Sequence, residues 1–155
     1  MTDTSKPSLI VRVPTPLWLI GLVLLALGAG TLLEAQPVLM HRPTGIVIIV
    51  LGFAVSTWGQ LSFRRHGAEI LPWSQTHSTL VAAGPYRFTR NPMYVGMVTM
   101  GIGAALVAGT WPMWLVPVVV FALDQLVIIP YEEQSMERTF GEAYRDYRAR
   151  VRRWL

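Results

Sequence analysis

The chain has 155 residues, of which 52% are hydrophobic and only 14% are charged. Soluble domains usually carry about 25% charged residues, so the composition indicates a single domain that resides in a lipid bilayer. The chain has no cysteine, which excludes disulfides, thiol nucleophiles and thiolate metal sites. Its three histidines, at positions 41, 66 and 77, lack metal-ligand spacing, so no metal site is predicted.

Four apolar runs follow one another, and each is about long enough to cross a bilayer as a helix. They cover residues 17–33, 45–63, 93–110 and 111–129. Almost no turn separates the last two, which are expected to form a tight antiparallel hairpin. Residues 64–92 connect the second run to the third, and their prolines and glycines predict an irregular loop rather than a long helix.

After the fourth run, residues 130–151 predict an amphipathic helix with Pro130 in its first turn. Spacings of three and four mark one apolar stripe, and arginines lie off it. The stripe consists of Met136, Phe140, Tyr144, Tyr147 and Val151. Such a helix is expected to lie on the membrane surface or to fold over the preceding loop. The predicted fold class is therefore all-α: a polytopic membrane protein with four transmembrane helices plus a C-terminal interfacial helix.

The net charge of +4 does not indicate a nucleic-acid partner, because the basic residues flank apolar runs and form no long basic surface. With four spans, both termini and the 64–92 loop share one side of the membrane. That side carries twelve of the thirteen basic residues, and only Arg42 lies opposite. The positive-inside rule then predicts cytoplasmic termini, in a membrane of the bacterial inner-membrane type.

The loop before the third run is the first candidate site, because it places Gly84-Pro85-Tyr86 and the segment 90–96 directly ahead of an apolar helix. An ordinary interfacial belt of Tyr and Arg explains this pattern as well as a ligand site does. In the functional interpretation, Pro92 starts the helix and exposes its unpaired N–H groups. Asn91 could then bond a nucleobase or ribose, and Gly96 would let a ligand approach the backbone.

Two further candidates are carboxylates. Glu132 and Glu133, the acidic pair, open the predicted tail helix, where carboxylates commonly just compensate the helix dipole. The other interpretation is an anchor for a ligand ammonium, or a general base. Asp124 lies inside the fourth run, where a carboxylate is costly and points to function. A structural pairing of Asp124 with Gln60 or with a basic residue of the loop is equally compatible with the sequence.

Two separated motifs in this order resemble the isoprenylcysteine carboxyl methyltransferase and phospholipid methyltransferase superfamily, over roughly residues 60 to 153. The first motif is Leu80-Val81-x-x-Gly84-Pro85-Tyr86-x-x-x-Arg90-Asn91-Pro92-Met93-Tyr94-x-Gly96. The second is Glu132-Glu133, followed by Phe140-Gly141-x-x-Tyr144-x-x-Tyr147-x-x-Arg150-Val151.

The resemblance implies an integral-membrane enzyme that uses S-adenosylmethionine to methylate a lipophilic acceptor: an isoprenoid carboxylate, a lipid amine or a thiol. It implies that Glu132 holds the cofactor's ammonium group, and that Arg90 and Arg150 brace the loop or meet the cofactor carboxylate. The other implied cofactor-binding residues are Ser78, Thr79, Leu80, Val81, Tyr86, Asn91, Pro92, Met93, Tyr94 and Gly96. The implied partners are the bilayer and a lipid or other lipophilic substrate.

Some positions depart from the prenylcysteine branch of that superfamily. Asn91 stands where that branch usually has His, and Ile128 and Ile129 stand where it tends to place a substrate-binding Arg. A carboxylate or thiolate acceptor would need no general base. An amine acceptor would need a proton acceptor, for which Asp124, Glu133 and Glu69 are the candidates.

The competing interpretation is a small transporter or channel subunit with four spans, in which Asp124 couples transport to protons. It accounts for the size of the chain and for a carboxylate inside a span. It does not account for a polar loop rich in aromatic residues combined with an acidic pair on the tail helix.

Overall fold

The computed structural model describes residues 13–65 and 80–155, and this part of the chain is helical with only isolated bridges between extended residues. Within the described residues, six α-helices follow in order. They are α1 (Thr15–Leu32), α2 (Arg42–Arg65), α3 (Pro92–Ala108), α4 (Trp111–Leu123), α5 (Ile129–Phe140) and α6 (Glu142–Arg150), with a 3₁₀ turn at Gly84–Arg87 and a π-helical segment at Asp124–Ile128. The all-α prediction is confirmed.

Three helical stretches of the described chain are long and apolar enough to cross a membrane: Thr15–Leu32, Arg42–Arg65 and Trp111–Phe140. The predicted third span forms α3, which is apolar but has 17 residues. Large apolar side chains such as Leu24, Leu25 and Phe53 point outward, as a lipid-facing surface requires. The protein is therefore a multi-pass membrane protein, although the predicted count of four spans is not confirmed.

The helix that contains the fourth predicted span does not end at residue 129. One helical stretch continues from Trp111 to Phe140, so α5 extends the helix, and α6 follows after Gly141. The π-helical segment lies at the join, where the Ile129 N–H donates to the Asp124 carbonyl five residues earlier. Pro130 follows at once, and a widened turn can accommodate a residue that lacks an N–H. The interfacial position predicted for residues 130–151 is not confirmed.

The core lies between α1, α3 and α4. Buried apolar side chains from these helices form one cluster with the start of α5: Ala26, Tyr94, Met97, Ala105, Met113, Val116, Val120, Ile128 and Ile129. Gly109 ends α3 in the left-handed conformation with φ 73°, and α4 starts two residues later at Trp111. This short connection agrees with the expected hairpin, and it brings the beginning of α3 to the same end of the bundle as the acidic pair.

Helix α2 packs on α3 through small residues. Gly45, Gly52 and Gly59, spaced seven residues apart, are all buried there. Ser56, on the same face, donates to the Met93 carbonyl at 2.7 Å. Small residues let two helix backbones approach closely in a membrane. This contact fixes the position of the first turn of α3, which carries Asn91 and Tyr94 toward the site described below.

Gly52→Ala is expected to destabilise the protein by about 1–3 kcal/mol. A Cβ at this position would lie 2.6 Å from the Gly96 carbonyl oxygen and 2.8 Å from the Met100 nitrogen, so the helices would have to separate. The matched control is Gly21→Ala, because nothing lies within 4 Å of a Cβ there. Thermal unfolding in detergent checks the pair of variants. Equal midpoints for the two would contradict the proposed close helix contact.

Candidate active site

The loop before α3 is held against the end of α2 by its 3₁₀ turn. Gly84 adopts φ +61°, and a Cβ there would lie 2.8 Å from the Ser62 hydroxyl, so both conformation and space favour glycine. Tyr86, which follows, is buried and packs against Phe63 with ring centroids 5.0 Å apart. The turn therefore fixes an aromatic wall beside the beginning of α3.

A cleft with about 550 Å³ of empty space, including its open mouth, lies between this loop, α3, α5 and α6. Small-molecule sites commonly have volumes of roughly 300–1,000 Å³. The lining residues combine apolar, aromatic, acidic and basic side chains. They are Phe63, Leu80, Val81, Tyr86, Arg90, Asn91, Met93, Tyr94, Glu132, Glu133, Met136, Tyr144 and Tyr147. Residues from the end of α2, the loop, α3, α5 and α6 thus share one concave site.

The two carboxylates of the acidic pair have different surroundings. Glu133 is 9% exposed and lies between two guanidinium groups. Its Oε1 is 2.7 Å from Arg90 Nη2, and its Oε2 is 2.5 Å from Arg153 Nη2. Since two cations compensate its single charge, Glu133 is suited to holding α5 against the loop and the C-terminus.

Glu132 pairs with no arginine among the described residues. Its Oε1 accepts a hydrogen bond of 2.6 Å from the Tyr94 hydroxyl, which comes from the first turn of α3. A neutral phenol orients a carboxylate without cancelling its charge. The cleft therefore carries one carboxylate that no cation among the described residues pairs with.

Arg90 connects the loop to the last helix as well as to Glu133. Its Nη1 donates to the carbonyls of Arg148 at 3.0 Å and Val151 at 3.3 Å. Its Nε is buried and has no hydrogen-bond partner among the described residues. Buried N–H groups are rarely left without an acceptor, so Arg90 retains one donor for a ligand.

The end of the chain forms a C-terminal strap, residues 151–154, that runs beside the loop. Thr89 and Arg152 form a parallel bridge, and the Arg90 N–H donates to the Arg152 carbonyl at 2.9 Å. The Arg153 carbonyl accepts from Thr89 Oγ1 at 3.0 Å and from Asn91 Nδ2 at 2.9 Å. The side-chain nitrogen of Asn91 is therefore already used within the protein, whereas its side-chain oxygen accepts no hydrogen bond from the part of the chain that the structure describes.

Besides Tyr94, the cleft is lined by Tyr86, Tyr144 and Tyr147. The Tyr147 hydroxyl donates to the Tyr86 carbonyl at 2.8 Å, whereas the buried Tyr86 hydroxyl has no partner among the described residues. Burial raises the pKa of Tyr86 and Tyr147 well above the ordinary value, and raises the pKa of Tyr144 to about 12. All three stay protonated near neutral pH, and the Tyr86 hydroxyl, like Arg90 Nε, remains available to a ligand.

Most residues expected at the site do meet in the cleft. Leu80, Val81, Tyr86, Arg90, Asn91, Met93, Tyr94, Glu132 and Glu133 are among its lining residues. Pro92 is buried at the start of α3, and Gly96 faces Gly52 and Ser56 of α2 rather than the cleft. Ser78, Thr79 and Glu69 lie outside the described residues.

Asp124 is fully buried in the bundle and does not line the cleft. The structural pairing considered for it is not observed, since neither carboxylate oxygen has a hydrogen-bond partner among the described residues. Arg150 also lies away from the cleft, where its Nε donates to the Asp146 carbonyl at 3.1 Å.

Four cleft-lining residues are not among the predicted site residues: Phe63, Met136, Tyr144 and Tyr147. Three residues that support the cleft without lining it were also not predicted. Arg153 was counted only for its charge, and Trp154, whose Nε1 donates to Gln125 Oε1 at 2.7 Å, was not considered. Thr89 is also not among the predicted residues, although its hydroxyl donates to the Arg153 carbonyl and accepts from the Asn91 N–H at 3.2 Å. For the strap, the sequence offers one signal, which is that Arg153 and Trp154 follow an amphipathic helix. That pattern alone does not predict a contact with the loop before α3.

A family model described as phospholipid methyltransferase matches residues 40–143. The match spans α2, the loop, α3, α4 and α5, so it includes the cleft wall from Leu80 to Met136. The C-terminal strap lies beyond it. Neither the curated proteins nor the solved structures contain a match.

Proposed function

The chain belongs to the phospholipid methyltransferase family, and from that premise we propose that it transfers a methyl group from S-adenosylmethionine to a membrane lipid. The cleft is the proposed cofactor site. The acceptor is proposed to be a phospholipid, and its reactive group the head-group amine. The family match gives no support to the alternative of a transporter or channel subunit that uses Asp124.

The observation that carries the proposal is the contrast within the acidic pair. Glu133 is compensated by two arginines, whereas Glu132 projects into the same cleft with only a phenol bonded to it. S-adenosylmethionine bears a positively charged ammonium and a positively charged sulfonium. Glu132 would hold the ammonium, because an uncompensated carboxylate in a partly buried cleft favours a cation strongly.

The remaining unused groups of the cleft fit the other parts of the same molecule. Arg90 Nε, buried without an acceptor, would bind the cofactor carboxylate. The Tyr86 hydroxyl and the Asn91 side-chain oxygen supply polar contacts for ribose or adenine, and Phe63 and the tyrosines supply apolar surface. When bound, the cofactor supplies an electrophilic methyl group on sulfur. The protein's own contribution is to orient the two reactants and to exclude water.

The residues before the acidic pair support an amine rather than a carboxylate as acceptor. Ile128 and Ile129 are 2% and 0% exposed and belong to the core, so this turn presents no cation to an acidic substrate. Among phospholipid head groups, the amine is the nucleophile that a sulfonium methyl group can alkylate readily. A lipid amine would reach the cleft sideways from the bilayer. The arginine distribution supports a cytoplasmic position for the reaction in a bacterial-type inner membrane.

The test uses purified protein in lipid nanodiscs. Calorimetry should show saturable binding of S-adenosylmethionine, and methyl-labelled cofactor should label vesicles that contain phosphatidylethanolamine. Phosphatidylglycerol vesicles are the matched control, since they offer no amine, and a long-chain isoprenoid acid tests the other acceptor class. Folded protein without saturable cofactor binding would refute the proposal. Labelling of the acid instead of the amine lipid would refute the proposed acceptor alone.

A further inference from the structure

Arg153, in the C-terminal strap, holds Glu133 by two parallel hydrogen bonds. Its Nε donates to Glu133 Oε1 at 3.2 Å, and its Nη2 donates to Glu133 Oε2 at 2.5 Å. Both bonds leave the same edge of one guanidinium and reach the two oxygens of one carboxylate. This is the bidentate fork that arginine forms with carboxylates, and it fixes the relative orientation of the two groups.

Arg90 meets the same carboxylate by a single hydrogen bond. Its Nη2 donates to Glu133 Oε1 at 2.7 Å, so Oε1 accepts from both arginines while Oε2 accepts from Arg153. The Arg90 Nε lies on the same guanidinium edge as its Nη2, yet it is buried and has no acceptor within residues 13–65 and 80–155. Arg90 therefore lacks the second bond of a fork, although a carboxylate that could supply it is already in contact.

The other side of the Arg90 guanidinium is held by backbone carbonyls. Its Nη1 donates to the carbonyls of Arg148 at 3.0 Å and Val151 at 3.3 Å, at the end of α6. These bonds keep the guanidinium beside the cleft, which Arg90 lines together with Glu133. A change in how Glu133 is held would therefore leave Arg90 in place and alter chiefly which carboxylate oxygens face it.

The attachment of the strap to the loop does not use the Arg153 side chain. The strap contributes main-chain carbonyls instead: that of Arg153 accepts from Thr89 Oγ1 at 3.0 Å and from Asn91 Nδ2 at 2.9 Å. The carbonyl of Arg152 accepts from the Arg90 N–H at 2.9 Å. Because these bonds remain when only the side chain at position 153 is changed, the fork to Glu133 can be removed while the strap stays on the loop.

Resting on the proposed function, in which Arg90 Nε binds the carboxylate of S-adenosylmethionine, we propose that Arg153 is a positioning residue that keeps this Nε free for the ligand. Because Arg153 occupies the fork of Glu133, the carboxylate offers Arg90 only one bond. Without Arg153, Glu133 would turn and form the fork with Nε and Nη2 of Arg90. Glu133 would then compete with the ligand carboxylate for the same donor, and Arg153 prevents that competition.

The test compares two ligands by isothermal calorimetry: S-adenosylmethionine and its decarboxylated analogue, which keeps the ammonium and the sulfonium. In Arg153→Gln, the affinity for S-adenosylmethionine should fall about 10- to 100-fold, because one charged hydrogen bond to the ligand is lost. The affinity for the analogue should stay within about threefold of wild type, since that ligand makes no use of Arg90 Nε. Arg152→Gln, which changes an exposed arginine of the same strap, is the matched control and should alter neither affinity.

Combining Arg153→Gln with Glu133→Gln tests the competition directly, and does so even where Arg153→Gln by itself does not fold. The double variant lacks the competing carboxylate, so its preference for S-adenosylmethionine over the analogue should return to within about threefold of wild type. Three results would overturn the inference: unchanged affinities in Arg153→Gln, an equal loss for both ligands, as a purely structural role would cause, or a double variant without the preference. Failure of the proposed function is distinct, because the wild-type protein would then bind neither ligand.

Discussion

Replacing Glu132 by Gln is expected to weaken S-adenosylmethionine binding by about 30- to 1,000-fold. This range corresponds to a loss of about 2–4 kcal/mol of binding free energy when a charged hydrogen-bond partner in a desolvated site is replaced. Gln keeps the shape of Glu and can still accept the bond from the Tyr94 hydroxyl, so the fold should be unaffected. Only the negative charge offered to the cofactor ammonium is removed. Isothermal calorimetry on the purified variant measures the effect directly.

Glu142→Gln is the matched control for Glu132→Gln, because the Glu142 side chain is 86% exposed and forms a surface ion pair with Arg145. This control should bind the cofactor as wild type does. Equal affinities for Glu132→Gln and Glu142→Gln, with both proteins folded, would remove Glu132 from the site. The proposed cofactor position would then have no anchor for the ammonium group.

Glu133→Gln should act chiefly on stability, with an expected loss of about 3–5 kcal/mol. Arg90 and Arg153 converge on this one carboxylate, and its loss would leave two guanidinium groups close together without their counterion. The loop, α5 and the C-terminal strap would lose their common attachment. Thermal unfolding in detergent, followed by circular dichroism, provides the measurement.

Glu137→Gln is the comparison for that variant, because its ion pairs with Arg145 and Arg148 are solvent-exposed. Exposed ion pairs contribute little to stability because solvent screens them, so its midpoint should stay close to that of wild type. A midpoint for Glu133→Gln that matches the Glu137→Gln value would show that the buried arginine pair does not hold the site together. A large loss of cofactor binding at unchanged stability would instead assign Glu133 to the ligand.

The elements of this fold were predictable because local patterns encode them. Apolar runs of sufficient length predict membrane helices, and the Gly-Pro and Asn-Pro steps predict the breaks between them. The motif residues before α3 were predicted to form a site, and most of them do line one cleft. The join between α4 and α5 was not predictable. In the sequence, Pro130 indicates the start of a separate helix, whereas in the structure one helical stretch continues past Pro130 by means of a π-helical segment.

The sequence by itself determined that this is an all-helical membrane protein of a methyltransferase family, with polar residues gathered ahead of α3 and in the acidic pair. Only the tertiary structure decided which carboxylate of the acidic pair meets the arginines and which one meets a tyrosine instead. Adjacent helical residues point about 100° apart, so Glu133 meets Arg90 and Arg153 while Glu132 meets Tyr94. Those partners lie 20 to 43 residues away along the chain. Their approach depends on how the helices pack and rotate against one another, which no local pattern of residues records.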